Sequence, residues 1–166
     1  KEIERLKEQK VEGIIMDLRN NGGGSLQTVV DMVGLFIDQG PVVQVRSQKG
    51  QRNVLFDKDP KVQWNGPLVV MINNYSASAS EIFAAAIQDY NRGIIVGSKH
   101  SYGKGTVQNM FDLNSIIKVK DYDFGSIKFT SQKFYRVDGG STQLKGVESD
   151  IIMPDRFTYI DTGERD

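Results

Sequence analysis

Residues 67–98, PLVVMINNYSASASEIFAAAIQDYNRGIIVGS, determine the fold that the sequence predicts. The runs PLVVMIN and GIIVGS predict two buried strands, and the stretch from Ser78 to Tyr90 between them predicts a helix. An earlier segment, VEGIIMDLRNNGGGSLQTVVDMVGLFI at residues 11–37, has the same order of strand, turn and helix, with Ser25 as the expected N-cap. Strands that alternate with helices predict an α/β fold with a mostly parallel sheet flanked by helices.

The segments outside these two units predict smaller elements. Residues 1–10 predict a surface helix, and PVVQVRS at residues 41–47 predicts another strand. Residues 48–66 are polar and irregular, which favours a hairpin or an excursion from the sheet. In the last third, SIKFTSQKFYRV at residues 126–137 alternates like a half-exposed strand, and the DGGS that follows predicts a turn. We therefore expect extra β-hairpin elements beside the parallel sheet.

The composition fits a single domain over residues 1–166. Lys and Arg together number 21, as do Asp and Glu, so charge gives no reason to expect a nucleic acid or an anionic membrane as partner. The chain has no cysteine, which excludes disulfides, thiolate metal sites and a cysteine nucleophile. We expect no cofactor and no bound metal ion.

The sequence also carries information about its context. No apolar run is long enough to span a bilayer, and no signal peptide is present. The chain starts at Lys1, inside a charged, helix-like segment, and not at a methionine. We therefore expect it to be an excised part of a longer protein, whose targeting signal and upstream domain have been cut away.

The turn DLRNNGGG, from Asp17 to Gly24, is the first of three places where chemistry is expected. Consecutive glycines let the backbone approach a ligand and direct N–H groups at a phosphate or a transition-state oxyanion. The dinucleotide pattern G-x-G-x-x-G fails, because Gln27 occupies its third glycine position. A tight turn before a helix explains the glycines equally well, so both interpretations stay open.

The second place is SASASE at residues 76–81. Ser78 and Glu81 match the capping box S-x-x-E, in which the serine caps the helix and the glutamate reaches back. Ser78 is also a candidate nucleophile, because a helix dipole and free N–H groups stabilise negative charge at a helix N-terminus. Its small neighbours Ala77 and Ala79 would let a substrate carbonyl approach. The local sequence alone favours the cap.

The third place is GSKHSYGKGTVQ at residues 97–108. This segment resembles a phosphate-binding loop but departs from it twice. Five residues instead of four separate Gly97 from Gly103, and Lys104 is followed by Gly105 and not by serine or threonine. A lysine between two glycines in a loop is usually solvated, so a catalytic role needs further support.

A nucleophilic serine needs a base within hydrogen-bond reach. The only histidine is His100, whose polar neighbours Lys99 and Ser101 are typical of the surface. The remaining candidate is a lysine, and serine–lysine pairs are an established variant of the catalytic triad. A lysine base must lose its proton near neutral pH, and burial favours this loss. We expect such burial beneath the SASAS turn.

In their order and spacing, these motifs resemble the C-terminal processing, or tail-specific, serine protease family. The resemblance covers nearly the whole chain, through GIIMDLRNNGGG, YSASASEIFAAAIQDY, GKGTVQ, QKFYRVDGGSTQ and KGVESDIIMP. It is closest to the bacterial periplasmic members and includes the trailing DTGE at residues 161–164. It implies a crotonase-like protease core, of which this chain is the C-terminal part, with a peptide-binding PDZ domain upstream of Lys1.

The resemblance also implies the site residues. Ser78 matches the nucleophile and Lys104 the general base. Gln108, four residues later, matches the third member that orients the lysine in several relatives. Gly23 and Ala79 match the two residues whose backbone N–H groups form the oxyanion hole. The implied reaction is hydrolysis of peptide bonds through a Ser–Lys dyad and an acyl-enzyme.

Asp89 and Glu81 lie outside the predicted site. Asp89 matches an acidic position in the nearest relatives, but an ion pair with Arg92, one helical turn on, is the simpler account. Glu81 fits both a helix cap and a support for the site. Two departures from the family concern the loops: the segment before Lys104 is one residue longer than usual, and Gly22 stands where many relatives carry proline.

The resemblance further implies substrates and location. The expected partners are proteins or peptides with apolar C-termini, in the periplasm or otherwise outside the cytoplasm, and not nucleic acids. A membrane-associated full-length protein and a homo-oligomer are both compatible with it. Two alternatives stay open: a crotonase-like acyl-CoA enzyme, which would not need the Ser78–Lys104 pair, and a non-catalytic domain that binds peptide tails.

Overall fold

Two four-stranded sheets and three α-helices make up the computed structural model of the chain, which describes residues 1–117, 119, 122–160 and 162–164. Asp161, the first residue of the DTGE motif, lies outside the described residues. The elements in chain order are α1 (Glu2–Glu8), β1 (Ile14–Asp17), α2 (Leu26–Gly34), β2 (Gly40–Ser47), β3 (Arg52–Asp57), β4 (Leu68–Ile72), α3 (Ala79–Asp89), β5 (Ile94–Gly97), β6 (Thr106–Asp112), a 3-10 turn (Leu113–Ser115), β7 (Ser126–Tyr135) and β8 (Ile151–Ile152).

The first sheet is parallel and has the strand order β1-β4-β5-β8. Its central strand β4 buries Leu68, Val70 and Ile72, while the residues between them are half-buried. This alternation places every second side chain on the face that packs against the helices. The predicted α/β fold, with a parallel sheet flanked by helices, is confirmed.

The second sheet is antiparallel and has the order β3-β2-β7-β6. Strand β2 follows helix α2 but joins this sheet and not the parallel one. The polar segment 48–66 contains β3, which pairs with β2 as a hairpin, so the hairpin interpretation is the correct one. Strand β7 forms where the alternation predicted a strand, but it pairs with β6, which the sequence analysis did not predict, and the DGGS turn after β7 does not connect two strands of this sheet.

Helices α2 and α3 form the centre of the core. Helix α3 contacts β5 of the parallel sheet and β2 of the antiparallel sheet, and it also packs on α2. Phe36, just after α2, meets Phe83 of α3 edge to face, with ring centroids 5.8 Å apart. Ser25 caps α2 as predicted, since its hydroxyl accepts the Thr28 N–H at 3.3 Å. Of the helices described, none has the length and apolarity needed to cross a membrane.

The predicted ion pair between Asp89 and Arg92 is wrong. Asp89 pairs with Arg136, whose Nε lies 3.1 Å from Asp89 Oδ1. Helix α3 ends at Asp89, and Asn91 has a φ of 50°, so the chain has left the helix before Arg92 and the helical spacing no longer applies. The Arg92 guanidinium instead donates to backbone carbonyls, including that of Trp64 at 2.6 Å.

Candidate active site

The three predicted places converge because each follows a strand of the parallel sheet. The glycine turn follows β1, the SASASE turn follows β4, and the segment 97–108 starts at the end of β5. These strands are neighbours and run in the same direction, so their carboxyl ends meet at one edge of the sheet. That edge is the usual position of a binding site in an α/β fold.

Polar side chains join the glycine turn to the SASASE turn. Asn73 Oδ1 accepts the Asn20 N–H at 2.9 Å, and Ser76 Oγ donates to the Leu18 carbonyl at 2.8 Å. The Ala77 N–H donates to the Asn21 carbonyl at 3.0 Å. Because these groups are satisfied inside the fold, the two turns are held as one unit.

Ser78 has an unusual backbone conformation, with φ at 57° and ψ at −113°. A non-glycine residue rarely adopts this region, and such strain collects at functional sites. Ser78 is the N-cap of α3 and is half-buried. Ser78 therefore occupies the N-cap position that the capping box predicted.

Gly23 packs directly against the Ser78 turn. Its φ of 106° lies in the left-handed region, which favours glycine. A Cβ at this position would lie 2.8 Å from Ser78 Cβ and 3.0 Å from the Ala79 nitrogen. The structure therefore brings Gly23, Ser78 and Ala79 together, and only a glycine fits this approach.

The two predicted oxyanion donors differ in their present partners. The Ala79 N–H, at the first position of α3, has no hydrogen-bond partner among the described residues. The Gly23 N–H donates to Asn21 Oδ1 at 2.9 Å. One donor is therefore free for a ligand, and the other is occupied by a neighbouring side chain in this state.

Glu81 links the serine turn to the lysine loop and is fully buried. Its Oε2 accepts the backbone N–H of Ser78 at 2.7 Å and that of Lys104 at 3.0 Å. Its Oε1 accepts the Ser101 hydroxyl at 2.6 Å and the Gly103 N–H at 2.7 Å. The carboxylate thus both reaches back to the N-cap residue of α3 and supports the site.

Burial raises the pKa of the Glu81 carboxyl above its ordinary value. The four hydrogen bonds that it accepts act in the opposite direction, because each stabilises the charged form. The direction of the shift shows that removal from water has the larger effect. Glu81 is therefore an ionisable group with a fold-dependent protonation at the centre of the candidate site.

Lys104 is half-buried, in the loop that Glu81 holds. Its carbonyl accepts the Thr142 hydroxyl at 3.0 Å, which fixes the backbone from the other side. Among the described residues, the Lys104 ammonium has no hydrogen-bond or ion-pair partner. The backbone of the loop is thus fixed by hydrogen bonds, while the Lys104 side chain forms none with the described residues.

The structure does not bring Gln108 to the lysine. Gln108 is exposed on β6, opposite Thr130 in the antiparallel sheet. No side-chain hydrogen bond joins it to Lys104 within the described part of the chain. The register of β6 and β7 shifts between Val107 and Gln108, so the strand is irregular at this point.

His100 is engaged locally. Its Nδ1 lies 2.8 Å from the Ser101 carbonyl oxygen, and its backbone bridges to Glu148. For the residues described, no hydrogen bond joins His100 to Ser78, and no group of His, Asp and Glu side chains could hold a metal ion. In the same described residues, no hydrogen bond joins the Lys104 side chain to Ser78 either, and the loop that carries both residues meets Ser78 only through Glu81 or its backbone.

Asn21 and Ser101 are the residues of the site that the sequence analysis missed. Asn21 accepts from Gly23, Ala77 and the Ser80 hydroxyl, and so connects the two turns. Ser101 donates to Glu81 and accepts the Val147 N–H at 2.8 Å. The asparagine pairs that follow β1 and β4 gave a signal for such contacts, since asparagine commonly bonds to nearby backbone.

Comparisons with known sequences agree with this architecture. The sequence model of Peptidase family S41 matches residues 1–153. The "Tail-specific protease" of Haemophilus influenzae is 54% identical over 160 residues, which cover 96% of this chain and 23% of the relative. The "Carboxy-terminal processing protease CtpA" of Bacillus subtilis is 35% identical over 166 residues, or 96% of this chain and 33% of the relative. The chain therefore spans only about a quarter to a third of these relatives.

Solved structures show the same fold. The structure titled "Photosystem II D1 C-terminal processing protease" aligns with a TM-score of 0.76 and 30% identity, over 90% of this chain and 36% of that chain. Mature CPAF aligns with a TM-score of 0.71 over 92% of this chain and 42% of that chain. Its identity is 16%, so the likeness is one of fold alone.

Proposed function

The chain belongs to peptidase family S41, and on this premise we propose that it carries the catalytic centre of a serine protease with Ser78 as nucleophile and Lys104 as base. One observation carries the proposal. A single oxygen of Glu81 accepts the backbone N–H groups of both Ser78 and Lys104. The serine turn and the lysine loop are therefore both hydrogen-bonded to Oε2 of this buried carboxylate.

The proposed reaction uses Lys104 in its neutral form. Lys104 Nζ takes the proton of the Ser78 hydroxyl as the oxygen attacks the carbonyl carbon of the substrate. The C–N bond of the tetrahedral intermediate then breaks, and Lys104 gives its proton to the leaving amine. A water molecule attacks the acyl-enzyme with Lys104 again as base, and the proton finally returns to Ser78. Atoms and charges balance without a metal ion or a cofactor.

Stabilisation of the oxyanion requires a change at the glycine turn. The Ala79 N–H is free to bind the oxyanion, and each such donor contributes about 3–4 kcal/mol in other serine proteases. The Gly23 N–H becomes available only when Asn21 Oδ1 releases it. We propose that substrate binding displaces the Asn21 side chain and completes the oxyanion hole.

We include Gln108 as the residue that orients Lys104, and only the family resemblance supports this role. Gln108 lies on β6, which begins at Thr106, two residues after Lys104. We expect Gln108→Ala to reduce kcat less than Lys104→Ala, because a residue that orients the base is less essential than the base. Equal losses in the two variants would give Gln108 a direct part in the chemistry.

The proposed substrates are proteins recognised by apolar C-terminal tails. The names of the relatives, a tail-specific protease and a carboxy-terminal processing protease, support this substrate class. We extend the proposal to the periplasm or another location outside the cytoplasm on the basis of the family resemblance. These properties are proposed for a whole protein, because this chain covers only 23% of the length of the Haemophilus influenzae relative.

The test is cleavage of a protein substrate by the full-length protein and its variants. We expect Ser78→Ala and Lys104→Ala each to abolish cleavage while the far-UV circular dichroism stays unchanged. His100→Ala is the matched control and should retain activity, because its imidazole is engaged with the Ser101 carbonyl. Cleavage by Lys104→Ala, or its loss in His100→Ala, contradicts the proposed dyad.

One observation favours a second candidate, a domain that binds peptide tails without cleaving them. The Gly23 N–H is occupied, so the oxyanion hole is incomplete in this state. A fluorophosphonate probe separates the two functions, because it labels only an activated serine. Labelling of the full-length protein that Ser78→Ala removes supports the protease, whereas peptide binding without labelling supports the second candidate.

A further inference from the structure

Three basic side chains stand in one row across the antiparallel sheet. Arg46 of β2 lies directly opposite Arg52 of β3 on one side and Lys133 of β7 on the other. Residues directly opposite one another in neighbouring strands project from the same face of a sheet. Val45 and Phe134, next to the row in β2 and β7, are buried, so the row itself lies on the face turned away from the core. All three residues of this basic row, Arg52, Arg46 and Lys133, are exposed.

The basic row is unfavourable for the isolated fold. Like charges directly opposite one another in a sheet are destabilising, and Arg46 faces a like charge on both sides. None of the three side chains forms a salt bridge or a hydrogen bond with any of the described residues. No carboxylate within the described part of the chain therefore offsets the repulsion, whereas an anionic group from outside would.

A polar pocket of about 380 Å³ adjoins the basic row. Arg46 and Lys133 both line it, and its other described lining residues are uncharged. One of them, Ser47, has a buried hydroxyl without a hydrogen-bond partner among the described residues. A buried hydroxyl without a partner is costly, and a ligand with a free acceptor would satisfy it. The unpartnered hydroxyl and the repulsion within the basic row thus both indicate an anionic ligand at this place.

We propose that the basic row and this pocket bind an acidic segment of a protein partner, one that presents two or more aspartate or glutamate side chains on one face. This inference goes beyond the proposed protease and does not depend on its chemistry. Arg46 and Lys133 each bind a carboxylate, and the parallel N–H groups of the Arg46 guanidinium match the two oxygens of a carboxylate. Arg52 does not line the pocket and binds a further carboxylate beside it.

The size and charge of the basic row fit a short acidic peptide better than a nucleic acid. Neighbouring strands are about 4.8 Å apart, so the row spans only about 10 Å, and glutamates two residues apart in an extended peptide are about 7 Å apart. Nucleic acids are held through many phosphate contacts, of which three cations supply few. Phosphate-binding loops also present free backbone N–H groups, whereas those of Ser47 and Gly50 are bonded within their own turn.

The experiment measures the binding of the peptide Glu-Ser-Glu-Ser-Glu to the full-length Ser78→Ala protein by fluorescence anisotropy. The peptide carries fluorescein at its N-terminus and an amide at its C-terminus. Amidation removes the terminal carboxylate and Ser78→Ala prevents cleavage, so the measurement reports only the side-chain carboxylates. We expect the same peptide with glutamine in place of glutamate to bind about tenfold or more weakly, because each exposed ion pair contributes up to about fivefold in affinity.

Lys133→Gln and Lys128→Gln, made in the Ser78→Ala protein, form a matched pair. Both lysines are exposed on β7, and both changes remove one positive charge. Lys128 does not line the pocket, and its distance of about 16 Å along the strand exceeds the Debye length of about 8 Å at physiological ionic strength. We expect Lys133→Gln and Arg46→Gln each to weaken binding of the glutamate peptide about fivefold, and Lys128→Gln to change it by less than about twofold.

Lys133→Arg separates loss of charge from loss of local structure, since it keeps the positive charge and should bind the glutamate peptide as the unchanged residue does. Weak binding by Lys133→Arg overturns the inference. Equal affinities for the glutamate and glutamine peptides, or equal losses in Lys128→Gln and Lys133→Gln, also overturn it, because they leave only a non-specific effect of charge. Labelled oligothymidylate that binds more tightly than the glutamate peptide, and weakly to Arg46→Gln, replaces the acidic partner with a nucleic acid and so overturns it too.

Discussion

Oε2 of Glu81 and the backbone nitrogen of Lys104 lie 3.0 Å apart, although 23 residues separate them in the chain. The same oxygen accepts the Ser78 N–H at 2.7 Å. The first turn of α3 and the lysine loop are therefore connected through a buried carboxyl group, and within the described residues no hydrogen bond joins the two proposed catalytic side chains. The stability and the activity of the site should depend on this carboxylate.

Glu81→Gln should impair both folding and catalysis. An amide has one accepting oxygen, so whichever end is replaced, two donors face an NH2 group that cannot accept from them. We expect the free energy of unfolding to fall by about 2–4 kcal/mol, since each unsatisfied buried donor costs about 1–3 kcal/mol. Urea denaturation measures this loss, and amide hydrogen exchange at Gly103 and Lys104 should accelerate.

The kinetic readout for Glu81→Gln is the split between kcat and KM. A positioning residue acts through Ser78 and Lys104, so we expect kcat to fall while KM changes little. Glu8→Gln on the exposed end of α1 is the control, with an expected change of less than about 0.5 kcal/mol. A Glu81→Gln protein with wild-type stability and kcat contradicts the role given to this carboxylate.

The free energy of unfolding should also depend on pH through the titration of Glu81. Its pKa is raised by burial, so the folded state holds the proton more tightly than the unfolded state. The contribution of Glu81 to the free energy of unfolding is therefore greatest at low pH. It falls as the pH rises from the ordinary value of 4.5 through the raised folded pKa, and it is constant above that. Carbon-13 NMR of the carboxyl measures the shift directly, and a titration at or below the ordinary value refutes the prediction.

The strained backbone of Ser78 predicts that two small substitutions at this position differ in stability. Ser78→Ala and Ser78→Gly both remove the hydroxyl, but only glycine adopts φ 57° and ψ −113° without strain. We expect Ser78→Gly to be more stable than Ser78→Ala by about 1–2 kcal/mol in thermal or urea unfolding. At Asp31, an exposed position inside α2, the order should reverse, with alanine more stable than glycine by about 1 kcal/mol. The same order at both sites would argue against strain at Ser78.

Gly23→Ala should affect activity more than its neighbour Gly22→Ala. A Cβ at Gly23 meets Ser78 Cβ at 2.8 Å at a φ that alanine disfavours, whereas a Cβ at Gly22 meets nothing within 4 Å. We expect Gly23→Ala to lower kcat by about 100-fold or more, as expected when an oxyanion donor is displaced. Gly22→Ala should retain kcat within a few-fold of the wild type. Steady-state kinetics on one peptide compares them, and equal activity of the two variants would exclude Gly23 from the oxyanion hole.

Asp89 should prove structural and not catalytic. It forms a half-buried ion pair with Arg136, and the side chains are 11% and 19% exposed, respectively. We expect Asp89→Asn to lower the free energy of unfolding by about 2 kcal/mol, less than the 3–5 kcal/mol of a fully buried pair, and to keep kcat. Asp38→Asn, at an exposed site, is the control. A large loss of kcat without loss of stability in Asp89→Asn would place it in the site after all.

The local elements could be predicted because their signals are local. The strands PLVVMIN and GIIVGS, the helix between them and the Ser25 cap appear where hydrophobic periodicity and capping chemistry place them. The ion pair of Asp89 could not be predicted. The chain leaves the helix at Asn91, and the actual partner is Arg136, 47 residues away.

The sequence by itself determined the residue types of the site and the three turns that carry them, because each turn follows a strand with a clear pattern. Only the tertiary structure decided how these turns meet. The parallel order of β1, β4 and β5 brings their ends to one edge, and Glu81 then satisfies four donors from both sides. Contacts between residues so distant in the chain depend on the packing of the sheet and leave no periodic signal in the sequence.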